Sequence, residues 1–66
     1  MKSVIINGQR HQTAAENVSA LIAELGFASG TVLVEHNSTA LRPGEWNQRP
    51  IRDGDRLELL RIAAGG

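Results

Sequence analysis

The sequence predicts an α+β fold in which one helix crosses one face of a mixed sheet of four to five strands. Three observations predict it. An Asn7-Gly8 pair separates two short strand-like runs, apolar residues then recur at helical spacing over residues 18–25, and two further strand-like runs follow. A ferredoxin-like sandwich would need a second long helix, and no second helical pattern occurs in the 66 residues. A chain of this length forms one small domain.

The first element is a β-hairpin. Lys2–Ile6 is apolar and β-branched, and Asn7-Gly8 provides the positive φ angles that a type I′ turn requires. Gln9–Thr13 is the return strand. Its polar side chains predict that it lies at a sheet edge or faces water.

The second element is a short amphipathic helix. Its apolar residues occur at positions i, i+3, i+4 and i+7, and they are Val18, Leu21, Ile22 and Leu25. Asn17 is the expected N-cap, although Thr13 with Glu16 would form a capping box one turn earlier. Gly26 is placed to end the helix in a left-handed conformation. Because so short a helix is marginal alone, we expect it to pack on the sheet.

The second half of the chain adds a strand and an irregular crossover. Thr31–Asn37 is a predicted strand with a nearly continuous apolar centre. The stretch that begins with Leu41-Arg42-Pro43-Gly44 is expected to be irregular. Trp46 lies in a predicted turn or 3₁₀ segment, where we expect it to close the edge of the core rather than to bind a ligand.

The last strand is predicted over Arg56–Ile62, after a tight turn at Asp53-Gly54-Asp55. A right-handed crossover through the helix places the first and last strands side by side and parallel at the centre of the sheet. This arrangement is the β-grasp fold.

The two faces of the last strand differ in composition. With a period of two, Leu57 and Leu59 lie toward the helix, whereas Leu60 and Ile62 lie on the opposite, otherwise polar face. Large aliphatic side chains on a polar face suggest a partner-docking patch. The alternative is that Ile5, or another residue of that face, partly covers them.

Composition excludes several classes of function. The formal net charge is zero, aromatic residues are few, and arginines near the C-terminal end alternate with acids, so we expect no nucleic-acid partner. No apolar run is long enough for a signal peptide or membrane span, which predicts a cytoplasmic protein without membrane contact. Cysteine is absent, and His11 and His36 have no recognisable catalytic or metal-site spacing. Both histidines are expected at the surface, with no catalytic residue, metal or cofactor in the chain.

The ending Ala63-Ala64-Gly65-Gly66 predicts a mobile tail on a domain of residues 1–62. Ala64 and Gly65 are small, and a Gly pair passes through a channel too narrow for a Cβ. The tail is therefore suited to delivering the Gly66 carboxylate into the active site of another protein. A terminal Gly pair alone is a weak signal.

The order of these motifs resembles the ThiS family, the sulfur carrier proteins of thiamine biosynthesis. The resemblance runs from Met1 to Gly66 and rests on three segments: Asn17 to Gly26, Trp46 with Asp53-Gly54-Asp55-Arg56-Leu57-Glu58, and Ala64-Gly65-Gly66. One departure is the Leu41-Arg42-Pro43-Gly44 run, where the family commonly has an apolar residue followed by Pro-Arg.

The resemblance implies a protein co-substrate rather than an enzyme. A ubiquitin-activating-type enzyme would use ATP and Mg²⁺ to adenylate Gly66, and sulfur relayed from a cysteine desulfurase would convert it to a thiocarboxylate. Thiazole synthase would then receive the sulfur for the thiazole moiety of thiamine. Leu60 and Ile62 would contact both the adenylating enzyme and the sulfur acceptor.

Three alternatives stay open at this point. The first is that the chain carries sulfur in a pathway of the molybdopterin-synthase type. The second is a β-grasp interaction module that carries no sulfur, and the third is a ubiquitin-like modifier that is conjugated to lysines. The sequence does not separate these functions.

Overall fold

A computed structural model describes residues 1–62 of the chain. Five strands form one sheet in the order β2-β1-β5-β3-β4, with one α-helix and one 3₁₀ helix. Their bounds are β1 Lys2–Ile6, β2 Gln9–Thr13, α1 Val18–Glu24, β3 Val32–His36, β4 Thr39–Leu41, the 3₁₀ helix Pro43–Gln48 and β5 Arg56–Arg61. The predicted tail, 63–66, lies outside the described residues, so the domain boundary after residue 62 stays a prediction.

The N-terminal hairpin is confirmed at its predicted bounds. Asn7 has φ 50° and Gly8 has φ 82°, the pair of positive angles that a type I′ turn requires. Within residues 1–62, β2 pairs only with β1 and lies at the edge of the sheet. Its polar sequence therefore occupies the edge position predicted for it.

β5 lies at the centre of the sheet and confirms the β-grasp arrangement. It runs parallel to β1, where Ile5 pairs with Arg56 and Ile6 with Leu57. On its other side it runs antiparallel to β3 over Val32–His36. The crossover between β1 and β5 contains α1, as predicted.

The side chain of Asn7 extends the pairing between β1 and β5 beyond the backbone of β1. Its amide nitrogen donates to the Leu59 carbonyl at 3.0 Å, and its amide oxygen accepts from the Leu59 N–H at 2.7 Å. The Asn7 backbone N–H also donates to the Leu57 carbonyl at 2.9 Å. Asn7 thus forms part of the turn of the first hairpin and also provides hydrogen-bond partners for backbone groups of the central strand.

Helix α1 begins and ends where the sequence predicts. The Asn17 side chain accepts from the Ala20 N–H at 2.8 Å, and Gly26 has φ 86°. The alternative capping box is wrong. The Thr13 hydroxyl instead accepts from the Ala15 N–H and donates to the Glu24 carboxylate, each at 2.9 Å.

The core lies between the sheet and a layer made of α1 and the 3₁₀ helix. Its fully buried side chains are those of Val4, Val18, Leu21, Ile22 and Leu57, and Leu25 packs against them partly buried. Trp46 lies in the 3₁₀ helix with 4% of its surface exposed, which confirms that it closes the core. Its indole N–H has no acceptor among residues 1–62.

The stretch after β3, in which the sequence analysis placed no strand, contains one more strand, β4. Asn37 and Ser38 have φ 48° and 73°, so they form a second two-residue turn without glycine. Thr39–Leu41 then returns as β4 beside β3. Arg42 caps the 3₁₀ helix, Pro43 opens it, and the Glu45 carboxylate accepts from the Arg42 N–H at 2.7 Å.

We predict that Leu21→Ala lowers the free energy of unfolding by about 2–5 kcal/mol, because it opens a cavity in a fully buried position. Urea denaturation followed by circular dichroism measures the change. Leu60→Ala is the matched control, since the same truncation at an exposed position changes stability by less than about 0.5 kcal/mol. Equal effects of the two substitutions would contradict the assignment of the core.

Candidate functional site

The candidate site lies on the face of the sheet opposite α1. Along β5, Leu57 is fully buried and Leu59 packs partly buried against the core, whereas Leu60 is 63% exposed. The predicted division of the two faces of β5 is therefore confirmed for Leu57, Leu59 and Leu60. Because burying a leucine is favourable, a leucine this exposed on a central strand marks a surface available to a partner.

Leu60 has an apolar neighbour that the sequence analysis missed. The antiparallel register places Leu33 of β3 directly opposite Leu60, and Leu33 is 53% exposed. Val32 and Val34 are buried, so β3 alternates between its two faces rather than presenting a continuous apolar centre. The charged residue Glu35 was the signal for this alternation, because it shares the period-two face of Leu33.

Ile62, the other predicted docking residue, lies just beyond the end of β5 and is half-buried. Its backbone N–H donates to the Thr31 carbonyl at 2.9 Å. Pairing between the last and third strands therefore continues to the final described residue. The docking roles of Leu60 and Ile62 stay predictions.

A shallow groove of about 480 Å³ follows this exposed face across β3, β4 and β5. Leu33 and Leu60 line one part of it. Glu35, Glu58 and Ala40 line another part, and Glu35 pairs with both Ala40 and Glu58 across the neighbouring strands. We call Leu33, Glu35, Ala40, Glu58 and Leu60 the sheet-face groove. It combines apolar and acidic side chains on one exposed surface.

The residues predicted to carry the chemistry lie outside the described part of the chain. These are Ala64, Gly65 and Gly66, which follow the groove in sequence. Their assigned roles stay predictions.

Apart from the sheet-face groove, a buried polar cluster lies at the start of β5. The prediction that both histidines lie at the surface is wrong for His36, which is only 5% exposed. The Arg49 Nε–H donates to His36 Nδ1 at 2.8 Å, so the ring proton lies on Nε2, which donates to Asp55 Oδ2 at 2.7 Å. The cluster joins β3, the segment after the 3₁₀ helix and the turn before β5, which is a structural role.

Asp55 is the acceptor at the centre of this cluster. Burial alone would raise the pKa of Asp55, but hydrogen bonds from the His36 ring, the Arg52 N–H and the Asn37 amide outweigh burial and hold that pKa below its usual value. The Arg52 and Asn37 bonds measure 2.8 and 3.1 Å. The ionised carboxylate therefore holds three segments of the chain together.

His11 is partly exposed and forms a smaller pair with Glu24 of α1. Its Nε2 lies 2.9 Å from Glu24 Oε2, and the Thr13 hydroxyl donates to the other oxygen. Hydrogen bonds from His11 and then Thr13 lower the pKa of Glu24. The pair connects β2 to the end of the helix.

Residues 1–62 include no group of three or more His, Asp and Glu side chains placed to hold a metal ion. None of the helices described here is long and apolar enough to cross a membrane. The described residues instead present an exposed surface with apolar and acidic side chains, on the sheet face next to the end of β5.

Comparison with known proteins agrees with the fold and with the resemblance seen in the sequence. The model of the ThiS family matches residues 4–66. The crystal structure of the thiamine biosynthesis protein ThiS from Geobacter metallireducens superimposes with a TM-score of 0.78 at 31% identity. That alignment covers 97% of this chain and 99% of the Geobacter chain.

Two sequence relatives add to this picture. A thiazole synthase of Paramagnetospirillum magneticum is 38% identical over 66 residues, and the chain spans only 20% of the length of that protein. The uncharacterized protein ycf40 of Trieres chinensis is 29% identical, over 98% of this chain and 90% of its own length. The similarity therefore extends across nearly the whole chain in both cases.

The mixed five-stranded sheet with one main helix defines a small ubiquitin-like β-grasp protein. Because the family model matches almost the entire chain, the identification is specific. The chain belongs to the ThiS family, the sulfur carrier proteins of thiamine biosynthesis.

We predict that Asp55→Asn destabilises the protein by about 1–3 kcal/mol at pH 7, because it removes the charge from three hydrogen bonds. Folding lowers the pKa of Asp55. The ionised carboxylate therefore contributes fully to the free energy of unfolding above the pKa of an unfolded Asp, about 3.9. This contribution is lost as the pH falls through the lower pKa of Asp55 in the folded protein. Urea denaturation from pH 7 to pH 2 should show the difference between wild type and variant narrowing below about pH 4.

Glu16→Gln is the control for this experiment, since Glu16 is exposed and its side chain makes no hydrogen bond with residues 1–62. It should change stability by less than about 0.5 kcal/mol at each pH. A difference between wild type and Asp55→Asn that stays constant to pH 2 would contradict the role given to the ionised carboxylate.

Proposed function

We propose that this protein carries sulfur as a thiocarboxylate on Gly66 and donates it for formation of the thiazole moiety of thiamine. The observation that supports this most is the position of the exposed Leu60, which pairs with exposed Leu33 of β3 and lies on β5, the central strand that precedes the Ala64-Gly65-Gly66 sequence. Family membership supports the same function. The protein acts as a co-substrate of other enzymes.

The proposed chemistry begins with activation of Gly66. A carboxylate is a poor acyl donor because its leaving group would be oxide. In the adenylating partner, which binds ATP and Mg²⁺, the Gly66 carboxylate attacks the α-phosphorus of ATP, pyrophosphate leaves, and an acyl-adenylate forms. The partner holds these cofactors, and this chain contributes the acyl group.

Sulfur transfer follows on the activated carbonyl. The terminal sulfur of a persulfide, supplied by a cysteine desulfurase relay, attacks the carbonyl carbon and AMP leaves. A thiol then cleaves the S–S bond of the acyl disulfide, so that a disulfide forms on the relay and the thiocarboxylate is released. Since the chain has no cysteine, the C-terminus is the proposed position of the transferred sulfur.

The reach of the last residues fits delivery into a partner's active site. Four residues follow Ile62, and an extended chain of four residues spans at most about 14 Å. A channel that admits Gly65 and Gly66 excludes side chains with a Cβ. The protein that accepts the carboxylate must then lie against the end of β5, where Leu60 is exposed.

The thiazole branch is favoured by one comparison. A protein called thiazole synthase contains a segment 38% identical to this chain. We therefore propose a thiazole synthase as the sulfur acceptor, alongside the adenylating enzyme and the desulfurase relay, all in the cytoplasm. Rescue of a deletion strain by thiazole, and not by molybdopterin products, tests this assignment.

We predict that incubation with the adenylating enzyme, ATP and the sulfur relay adds to the wild-type protein the mass of a sulfur-for-oxygen exchange. Deletion of Gly66 should abolish the exchange, because it moves the carboxylate by about 3.5 Å and out of alignment with ATP. Gly65→Val should abolish it by adding bulk in the channel. Intact-protein mass spectrometry measures both.

Ala63→Gly is the matched control, since it changes the tail without changing its length or adding bulk. It should be sulfurated like the wild type, and all three variants should melt at the wild-type temperature. A wild-type protein that stays unmodified beside demonstrably active partners would overturn the carrier function. Isopeptide-linked adducts in place of the thiocarboxylate would indicate a protein modifier.

We predict that replacing both Leu60 and Ile62 with Asp weakens binding to the adenylating enzyme and to thiazole synthase by at least about 2 kcal/mol, roughly 30-fold, as expected for apolar anchors. Calorimetric titration measures each affinity. Ala20→Asp, on the exposed side of α1, adds a carboxylate away from the sheet face and should leave both affinities unchanged. Unchanged binding of the double variant, with its circular dichroism intact, would remove Leu60 and Ile62 from the interface.

A further inference from the structure

The sheet-face groove contains two acidic side chains that face each other across neighbouring strands. The antiparallel register of β3 and β5 places Glu35 directly opposite Glu58. Both residues are exposed, and neither carboxylate forms a hydrogen bond or ion pair with residues 1–62. Directly opposed side chains have Cβ atoms about 4.5–5.5 Å apart. Two negative charges are therefore held close together with no partner among residues 1–62.

This arrangement destabilises the free protein, because like charges directly opposite each other on a sheet repel. Arg56 lies two residues before Glu58 on the same strand, but its guanidinium forms no ion pair with either acid in the described chain. The pair also adjoins the apolar pair Leu33 and Leu60, since Leu33 lies two residues before Glu35 on β3 and Leu60 lies two residues after Glu58 on β5. The surface thus presents an apolar contact followed by an unneutralised negative charge.

We propose that Glu35 and Glu58 form a recognition site for a lysine or arginine side chain of the protein that receives the C-terminal residues. The basic side chain would lie between the two carboxylates, while an apolar neighbour on the same protein covers Leu33 and Leu60. Ala40, the small residue opposite Glu35, leaves the side of the groove open to it. Removal of the repulsion on binding would then favour the complex.

This occupant follows from charge and from position. Two carboxylates with no third ligand make a poor metal site. A second copy of the chain is another possible source of a basic side chain for the two glutamates. Its Arg10 and Arg56 lie near each other, because both pair with Ile5 in the sheet. However, Leu60 is only two residues from the end of the described chain, so the protein that holds Gly66 must reach this face. The inference rests on the proposed function in naming that protein.

The test uses Glu35→Gln, Glu58→Gln and the double variant, with the adenylating enzyme as the binding partner. Each single substitution should weaken binding about 3–10-fold at low salt, and the double variant should have a visibly flatter salt dependence, as expected when an interfacial charge pair is removed. The melting temperature of the free protein should rise in each single variant. Glu16→Gln removes the same charge outside the sheet face and should change neither quantity.

Opposite effects on binding and stability separate recognition from a purely structural role. Unchanged affinity with a raised melting temperature would overturn the proposal, as would a wild-type protein that binds neither the adenylating enzyme nor thiazole synthase. Loss of self-association in the double variant by analytical ultracentrifugation, without loss of enzyme binding, would assign the acids to a second copy. Because the titration needs no sulfur transfer, a wild type that binds but is never sulfurated overturns only the carrier function.

Discussion

β5 occupies the centre of the sheet because β1 pairs with it in parallel, and only two residues of β1 take part in that register, Ile5 and Ile6. Asn7 extends this short contact along β5, because its backbone and side-chain N–H groups donate to the Leu57 and Leu59 carbonyls and its amide oxygen accepts from the Leu59 N–H. Without Asn7, these backbone groups of Leu57 and Leu59 would lose the hydrogen-bond partners that they have on the β1 side. The exposed Leu60 follows immediately after, so its position depends on this pairing.

The two ends of β5 have different tasks. At its start, buried Asp55 connects His36 and the Arg52 N–H, so the strand enters the sheet through a network whose hydrogen bonds are nearly all satisfied. Toward its other end, Leu60 and Glu58 are exposed, and the Glu58 carboxylate has no hydrogen-bond or ion-pair partner among residues 1–62. The buried polar network thus lies where the strand begins, and the exposed surface proposed to bind a partner lies toward its end.

Local signals predicted most of the fold. The Asn7-Gly8 turn, the helical spacing from Val18 and the turn at Gly54 each depend on residues adjacent in sequence, and each appears at its expected place. β4 was missed because its turn uses Asn37 and Ser38 at positive φ without a glycine. The pairing of Leu33 with Leu60 depends on the register between strands whose paired residues are more than twenty positions apart, which local spacing does not determine.

The size of the protein explains why the surface proposed for its function is external. A chain of 66 residues buries only about 60% of its unfolded surface, so its side chains form one core and leave little room for an enclosed active site. The same limit makes each unfavourable exposure costly, because domains of this size have a small margin of stability. An exposed leucine pair beside opposed glutamates is therefore explained better by binding than by folding. The chemistry proposed for Gly66 requires a partner for the same reason: a carrier this small presents its acyl group, and a larger protein encloses it.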